Sequence, residues 1–177
     1  NCTDKKHDNV INPNIVKENS GTGDHDEWKS SSVELTCRLD QKKSVAGKPG
    51  AWPYMDFLLT GGSGCSENGV VHPHCPGQTD GEYRTTFALW SISQSPMIIA
   101  TDVRNFTAVM TETILNKDII GLHQSTNTPP GGHIKYWECS EILSCEVWGR
   151  KINTNGTSWM VALVNRGKKS HKITVKW

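Results

Sequence analysis

The sequence predicts an α/β fold followed by an antiparallel β region, and two observations support this division. Up to about residue 125, apolar runs of strand length alternate with amphipathic segments of helical length, which is typical of chains built from βα units. After Pro129-Pro130-Gly131-Gly132, the pattern changes to short strands separated by turns such as Asn155-Gly156. We therefore expect one structural unit over residues 1–127 and a second over residues 128–177.

The elements of the first unit follow from local signals. Acidic residues at the start of Asp24–Lys29 favour a helix N-terminus, where the helix dipole stabilises negative charge. The apolar run from Trp52 to Thr60 predicts a strand, and the Gly/Ser/His/Pro-rich residues 61–80 predict a long loop. A second helix is expected to begin at Asp80 and to end before Pro96, because proline does not continue a helix.

The remaining signals divide between the two units. Met97–Ala100 is continuously apolar, which predicts a strand buried on both faces of a parallel sheet. A third helix is expected from about Thr107 to Leu115, with an apolar finish around Ile119 and Ile120. In the second unit, four segments have the length and composition of strands: Tyr136–Cys139, Glu146–Gly149, Trp159–Val164 and His171–Val175.

Charge and hydropathy exclude two classes of partner. Lys and Arg number 19 against 18 for Asp and Glu, a net charge of +1 that does not fit a polybasic nucleic-acid binder. No apolar stretch, Met97–Ala100 and Trp159–Val164 included, approaches the ~18 residues of a membrane span. We expect neither a nucleic-acid partner nor a membrane partner.

Six cysteines and three glycosylation sequons indicate a secreted or lumenal protein, whether extracellular, lysosomal or vacuolar. The sequons begin at Asn1, Asn105 and Asn155, and each has a residue other than proline in its middle position.

Two pairs of cysteines bracket short polar loops, so we expect two local disulfides, Cys65 with Cys75 and Cys139 with Cys145. Cys2 and Cys37 remain, and they pair either with each other or with something outside the chain. The segment His72-Pro73-His74-Cys75 is a poor zinc site, because the expected disulfide removes its thiolate. We expect no metal and no cofactor.

A series of short motifs extends over nearly the whole chain. The series comprises Gly21-Thr22-Gly23-Asp24, Pro49-Gly50-Ala51-Trp52, Asp56-Phe57-Leu58-Leu59, Glu82–Trp90, Ser95–Ile99, Asp102-Val103-Arg104 and Val161–Arg166. In residue type, order and spacing these motifs resemble the second half of glycoside hydrolase family 27, the α-galactosidases and α-N-acetylgalactosaminidases. The resemblance implies the second half of a (β/α)8 TIM barrel followed by part of an antiparallel β-sandwich domain. It also implies retaining hydrolysis of terminal α-linked galactose-like sugars.

The resemblance implies a partner as well as a carbohydrate substrate. The first four barrel strands of the family, with the nucleophilic aspartate, have no counterpart in this sequence, so we expect them on another chain of a nicked protein. In the family, the cysteine after strand five bonds one in the loop after strand four, which implies an interchain disulfide for Cys2. The partner of Cys37 stays open, as does assembly into a homo-oligomer.

The resemblance also assigns roles to individual residues. Asp24 matches the general acid/base, although the residue pattern alone favours a helix N-cap. Trp52 and Asp56 remain from the family's Trp-Asn-Asp-Pro-Asp motif; Asp56 would bind a sugar hydroxyl, and Trp52 would either stack on the sugar or pack in the core. Thr3 falls near a sugar-recognition position.

Two departures from the family support a second hypothesis. Where the family has an arginine, this sequence has Ser20, or Asn19 or Lys17 if the loop is shifted. Pro53-Tyr54-Met55 replaces the centre of the Trp-Asn-Asp-Pro-Asp motif. The alternative is therefore a catalytically inactive family member that acts as a sugar-binding or structural extracellular protein.

Overall fold

The structure is a computed structural model, and it describes residues 16–17, 52–54, 58, 60, 65–67, 70–72, 79–99, 103–138, 143–165 and 169–176. Within these residues the strands are β1 (Val16–Lys17), β2 (Pro53–Tyr54), β3 (Cys65–Glu67), β4 (Val70–His72), β5 (Gly132–Glu138), β6 (Leu143–Lys151) and β7 (Trp159–Asn165). The helices are α1 (Asp80–Ser93), α2 (Ala108–Ile114) and α3 (Lys117–Gln124). None of these helices combines the length and the apolar character that crossing a membrane requires.

The first half of the chain contains parallel strand pairs. Strand β1 pairs in parallel with β2, with Val16 opposite Pro53. Leu58 forms a parallel bridge with Ile99, and the Leu58 amide donates to the Ile98 carbonyl at 2.8 Å. The two strands predicted at Trp52–Thr60 and Met97–Ala100 are thus neighbours in a parallel arrangement.

The predicted burial of the Met97–Ala100 strand is wrong for two of its residues. Ile98 is 46% exposed and Ile99 is 39% exposed. A parallel strand is buried on both faces only where layers cover both faces. Successive side chains of a strand point to opposite faces, so both faces are partly exposed at Ile98 and Ile99.

Residues 61–80 contain more order than the predicted loop. Strands β3 and β4 form an antiparallel hairpin in which Glu67 lies opposite Val70. The two residues between them in sequence are Asn68-Gly69, the composition that favours a two-residue hairpin connection. The Gly/Ser/His/Pro content of the segment conceals this local signal.

Helix α1 begins at a capping box. The Thr79 hydroxyl accepts a hydrogen bond from the Glu82 amide at 3.4 Å, and the Glu82 carboxylate accepts one from the Thr79 amide at 2.7 Å. The helix ends at Gln94, which adopts a left-handed conformation with a φ of 54°. The predicted apolar side of this helix is buried, namely Tyr83, Phe87, Trp90 and Ile92.

Two shorter helices follow, each capped by a polar side chain. Helix α2 agrees with the predicted third helix, and the Thr107 hydroxyl caps it by accepting from the Met110 amide at 3.3 Å. Helix α3 was predicted only as an apolar finish. The Asn116 side chain starts it by accepting from the Ile119 amide at 3.0 Å.

Strands β5, β6 and β7 form one antiparallel sheet in that order, as the second part of the sequence predicts. In β6, Trp148 lies opposite Ala162 of β7, and Arg150 lies opposite Met160. The predicted strand at His171–Val175 is wrong, because residues 169–176 have no strand pairing within the described residues. A strand needs a neighbour for its backbone groups, and an apolar pattern does not supply one.

Among the described residues, a hydrophobic core cluster joins the parallel strands to the antiparallel sheet. Helix α1 lies between them and contributes Phe87, Leu89, Trp90 and Ile92. The other buried members are Leu58 from the parallel strands and Trp148 and Val164 from the sheet.

Candidate functional site

The parallel strand pairs are the described elements that precede the predicted carboxylates in sequence. The carboxyl ends of paired parallel strands lie at the same edge of a sheet, and barrel enzymes build their sites from the loops that follow these ends. In sequence, the predicted site residues Asp24 and Asp56 follow β1 and β2. Both carboxylates lie outside the described residues, so their convergence at such an edge stays a prediction.

Among the residues predicted to form the site, Trp52 is the one that the structure describes. It directly precedes β2 and is half-buried, which is compatible both with core packing and with a face turned to a ligand. Thr3, Asp24 and Asp56 lie outside the described residues, so their roles stay predictions. The helix expected at Asp24–Lys29 lies outside them as well.

A buried polar junction, which no sequence motif indicated, holds the C-terminal ends of helices α1 and α3 to strand β6. We use "junction" for Gln94, His123 and Arg150 with the carbonyl groups around the end of helix α3. The Gln94 amide nitrogen donates to the carbonyls of His123, at 2.8 Å, and Ser125, at 2.7 Å. Gln94 thereby satisfies carbonyl groups that the end of a helix leaves without intrahelical partners.

Arg150 supplies the rest of the junction from strand β6. Its side chain is 1% exposed. The guanidinium donates four hydrogen bonds to backbone carbonyls, those of Leu122 at 2.7 Å, Ser125 at 2.5 Å, Thr128 at 3.0 Å and Pro129 at 3.2 Å. Because a cation near a helix C-terminus complements the helix dipole, these bonds stabilise the charge and the chain reversal together. Burial lowers the pKa of Arg150.

His123 completes the junction as a neutral group. Its Nε2 lies 2.8 Å from the Ser95 carbonyl, which can only accept, so this nitrogen carries the ring proton. Burial lowers the pKa of His123, and the nearby Arg150 cation lowers it further, whereas the bond to Ser95 acts in the opposite direction.

Close packing explains a glycine at the same place. The Gly131 amide donates to the Ile92 carbonyl at 2.8 Å, which brings the linker against helix α1. A Cβ atom at position 131 would lie 2.6 Å from the Arg150 Cβ and 2.8 Å from the Ile92 Cγ2. The Pro-Pro-Gly-Gly sequence is therefore a tightly packed connection here.

The described residues also bear on the predicted disulfides, sequons and metal sites. Cys145 is buried and disulfide-bonded, but Cys139 lies outside the described residues, so the pairing stays a prediction, as does that of Cys65 with Cys75. Asn105 and Asn155 are both exposed. Within the described ranges, no group of three or more His, Cys, Asp or Glu side chains could hold a metal ion.

Comparison with known proteins gives a family match over most of the α/β part. The family model described as "Alpha galactosidase A" matches residues 17–125, which is more than half of the chain. The chain is 31% identical to Alpha-galactosidase 2 of Arabidopsis thaliana over 157 residues, covering 88% of this chain and 34% of that protein. It is 29% identical to human Alpha-galactosidase A over 157 residues, covering 85% and 32%. The chain thus spans about a third of the length of the curated relatives it matches.

Two solved structures have the same fold over most of this chain. Alpha-galactosidase I from Mortierella vinacea aligns with a TM-score of 0.57 at 23% identity, over 75% of this chain and 28% of that one. A GH27 β-L-arabinopyranosidase from Geobacillus stearothermophilus aligns with a TM-score of 0.66 at 20% identity, over 88% and 32%. These TM-scores support a shared fold, a TIM barrel followed by a β domain.

Proposed function

Since this chain belongs to the α-galactosidase A family, glycoside hydrolase family 27, we propose that it forms part of a retaining glycoside hydrolase that removes terminal α-linked galactose-like sugars. The observation that carries the proposal is the family match over residues 17–125, the segment that contains the parallel strands. Two parallel pairings in this segment, β1 with β2 and Leu58 with Ile99, agree with the parallel strands of a barrel.

The proposed mechanism uses two carboxylates on opposite sides of the scissile bond. An aspartate in polypeptide outside these 177 residues attacks the anomeric carbon, while Asp24 protonates the leaving oxygen. Asp24 then accepts a proton from the water that cleaves the glycosyl-enzyme ester. Such pairs are about 5–5.5 Å apart, so Asp24 needs a connection that reaches the centre of the barrel mouth.

The substrate would be held by residues from neighbouring connections. Asp56 accepts hydrogen bonds from sugar hydroxyls, Trp52 offers an aromatic face, and Thr3 contributes to recognition of the sugar. We place the first half of the barrel, with the nucleophile, on a partner chain, and Cys2 in a disulfide with that chain. The three sequons and the disulfide-bonded Cys145 favour a secreted or lumenal location.

The decisive experiment measures hydrolysis of aryl α-D-galactosides and of galactosides with poor leaving groups by the assembled protein and its Asp24→Asn variant. We expect turnover on poor leaving groups to fall by about 10²–10⁴-fold, the usual contribution of a general acid/base. Activated aryl substrates should lose less in the glycosylation step, because their leaving groups need little protonation. Asp26→Asn, two positions along the same segment, is the matched control and should lose little activity.

Equal and slight losses on both substrate types would show that Asp24 is only a helix cap. Aryl β-L-arabinopyranosides belong in the same assay, because one structural neighbour bears that activity in its name. If the unmutated protein hydrolyses no glycoside but binds sugars, the sugar-binding alternative replaces the enzyme; Ser20 and the altered segment Pro53-Tyr54-Met55 are the observations that favour it.

A further inference from the structure

The connection between β6 and β7 is an ordered turn that contains the third sequon. The amide of Ile152 donates to the Ser158 carbonyl at 3.0 Å, and the amide of Gly156 donates to the Asn153 carbonyl at 3.2 Å. Gly156 has a φ of +73°, a conformation that glycine adopts without strain. Asn155 and Thr157 are both exposed at the tip of this turn.

The two asparagines of the turn have different roles. Asn153 holds the turn together, since its side-chain nitrogen donates to the hydroxyls of Thr157 and Ser158, both at 3.0 Å. Asn155 uses only its side-chain oxygen, which accepts from the Thr157 amide at 3.1 Å and the Thr157 hydroxyl at 2.8 Å. In the described contacts its Nδ2 has no partner, so this nitrogen can carry a substituent without loss of a hydrogen bond.

A partly exposed tryptophan lies beside this turn. Trp159 is 38% exposed, and its indole N–H donates at 3.1 Å to the carbonyl of Gly156, the residue that follows Asn155. The ammonium of Lys151 lies 5.5 Å from the ring centroid. The exposed part of the indole is accessible to a group arriving from solvent.

We propose that Asn155 carries an N-linked glycan and that Trp159 is the surface against which the first N-acetylglucosamine packs. A pyranose ring presents a face of C–H bonds, and such a face complements the large apolar face of an indole. The bond to the glycan forms between Nδ2 of Asn155 and C1 of the sugar. The bond from C1 to a lipid-linked diphosphate donor breaks, and an amide proton is released with the lipid diphosphate.

This inference depends on the proposed passage through the secretory route and not on glycosidase activity. The protein is produced with a secretion leader in a glycosylating eukaryotic host, and its mass is measured before and after an endoglycosidase that removes N-glycans. Asn155→Gln and Thr157→Ala should each remove one glycan, whereas Thr157→Ser preserves the sequon and should keep it. An unmodified Asn155 in the secreted protein would overturn the proposal.

The contact with Trp159 is tested by thermal unfolding of four proteins that combine Asn155 or Asn155→Gln with Trp159 or Trp159→Leu. With Trp159 present, we expect the glycan to raise Tm by about 2–4 °C, and with Trp159→Leu we expect most of this shift to be lost. Asn105→Gln, at the other described sequon, is the control and should show no coupling to position 159. An equal shift in both Trp159 backgrounds would refute the packing.

A second measurement covers the case in which Trp159→Leu does not fold. Nuclear Overhauser contacts between sugar C–H protons and indole protons are expected in the unmutated glycoprotein. Their absence, with an occupied Asn155, would show that the glycan extends away from Trp159.

Discussion

Arg150 keeps its charge in the interior because backbone carbonyls surround its guanidinium. The forked geometry of the side chain allows one residue to serve Leu122, Ser125, Thr128 and Pro129 at once. Removal of such a donor leaves its acceptors unpaired where water does not replace it, and each buried acceptor of this kind costs about 1–3 kcal/mol.

Replacement of Arg150 with methionine should therefore destabilise the protein strongly. We expect Arg150→Met to lower the free energy of unfolding by about 3 kcal/mol or more, since several carbonyls lose their donor together. Arg150→Lys retains the charge but not the forked geometry, so its free energy of unfolding should lie between those of the unmutated protein and Arg150→Met. Urea unfolding of the assembled protein measures the change.

The adjacent Lys151 provides the matched control. Its side chain is exposed, so Lys151→Met should change stability by no more than about 0.5 kcal/mol. If Arg150→Met is as mild as Lys151→Met, the four hydrogen bonds do not stabilise the junction.

At the scale of elements, helix α1 illustrates how local sequence signals determine a boundary. The capping box of Thr79 and Glu82 satisfies two backbone groups that would otherwise lack partners. At the other end, Gln94 accepts a left-handed conformation, and its buried side chain bonds across to α3. Polar contacts thus define both ends of the helix, in addition to the apolar side that packs in the core.

Loss of the cap should weaken this helix measurably. Thr79→Ala is expected to destabilise the protein by about 1 kcal/mol, because the Glu82 amide loses its acceptor, and Thr79→Ser should restore most of the stability. Thr85→Ala makes the same chemical change within the helix, where Thr85 bonds back to the Gly81 carbonyl; it should be close to neutral. Thermal or urea unfolding distinguishes the two, and equal effects would contradict the capping role.

Prediction from the sequence was correct where an element depends on local signals. It was wrong where an element depends on pairing with residues distant in sequence. Helix α1 was predicted from its start at Asp80, its apolar spacing and Pro96, without reference to the Thr79 cap. Helix α3 was missed because Ile119 and Ile120 are poor guides to a helix when the Asn116 cap is not weighed. His171–Val175 has the composition of a strand, but pairing depends on a partner strand that a single segment cannot reveal.

The candidate site was predictable to a different degree. The family motifs identify the carboxylates, because their chemistry requires particular residue types at particular loops. They do not indicate Gln94 or Arg150, since a buried polar junction depends on contacts between residues 21 or more positions apart. Of the predicted site residues, Trp52 has a described position, and its half-buried state leaves both of its predicted roles in place.

At the scale of the whole molecule, His123 should make stability depend on pH. Burial lowers its pKa below the ordinary value of 6.5, so below that pH the unfolded chain binds a proton that the folded protein does not. Stability from this group is therefore fully present above about pH 6.5 and is lost as the pH falls from there towards the folded-state pKa.

His123→Gln should flatten this part of the pH profile, because glutamine can still donate to the Ser95 carbonyl but does not titrate. The measurement is the urea midpoint from pH 8 to pH 5 for both proteins. Similar midpoints at pH 8 would show that the junction is intact in the variant. If the variant and the unmutated protein lose stability in parallel towards pH 5, His123 is not the group responsible.

Helix α1 belongs to one core cluster with Leu58 of the parallel strands and with Trp148 and Val164 of the sheet. Removal of either the β sheet or the parallel strands would take buried partners away from this helix. The two units that the sequence separates at residue 128 should therefore unfold in one cooperative transition. A destabilising substitution in the sheet would then lower the amount of folded protein as a whole, including the parallel strands that it does not contact.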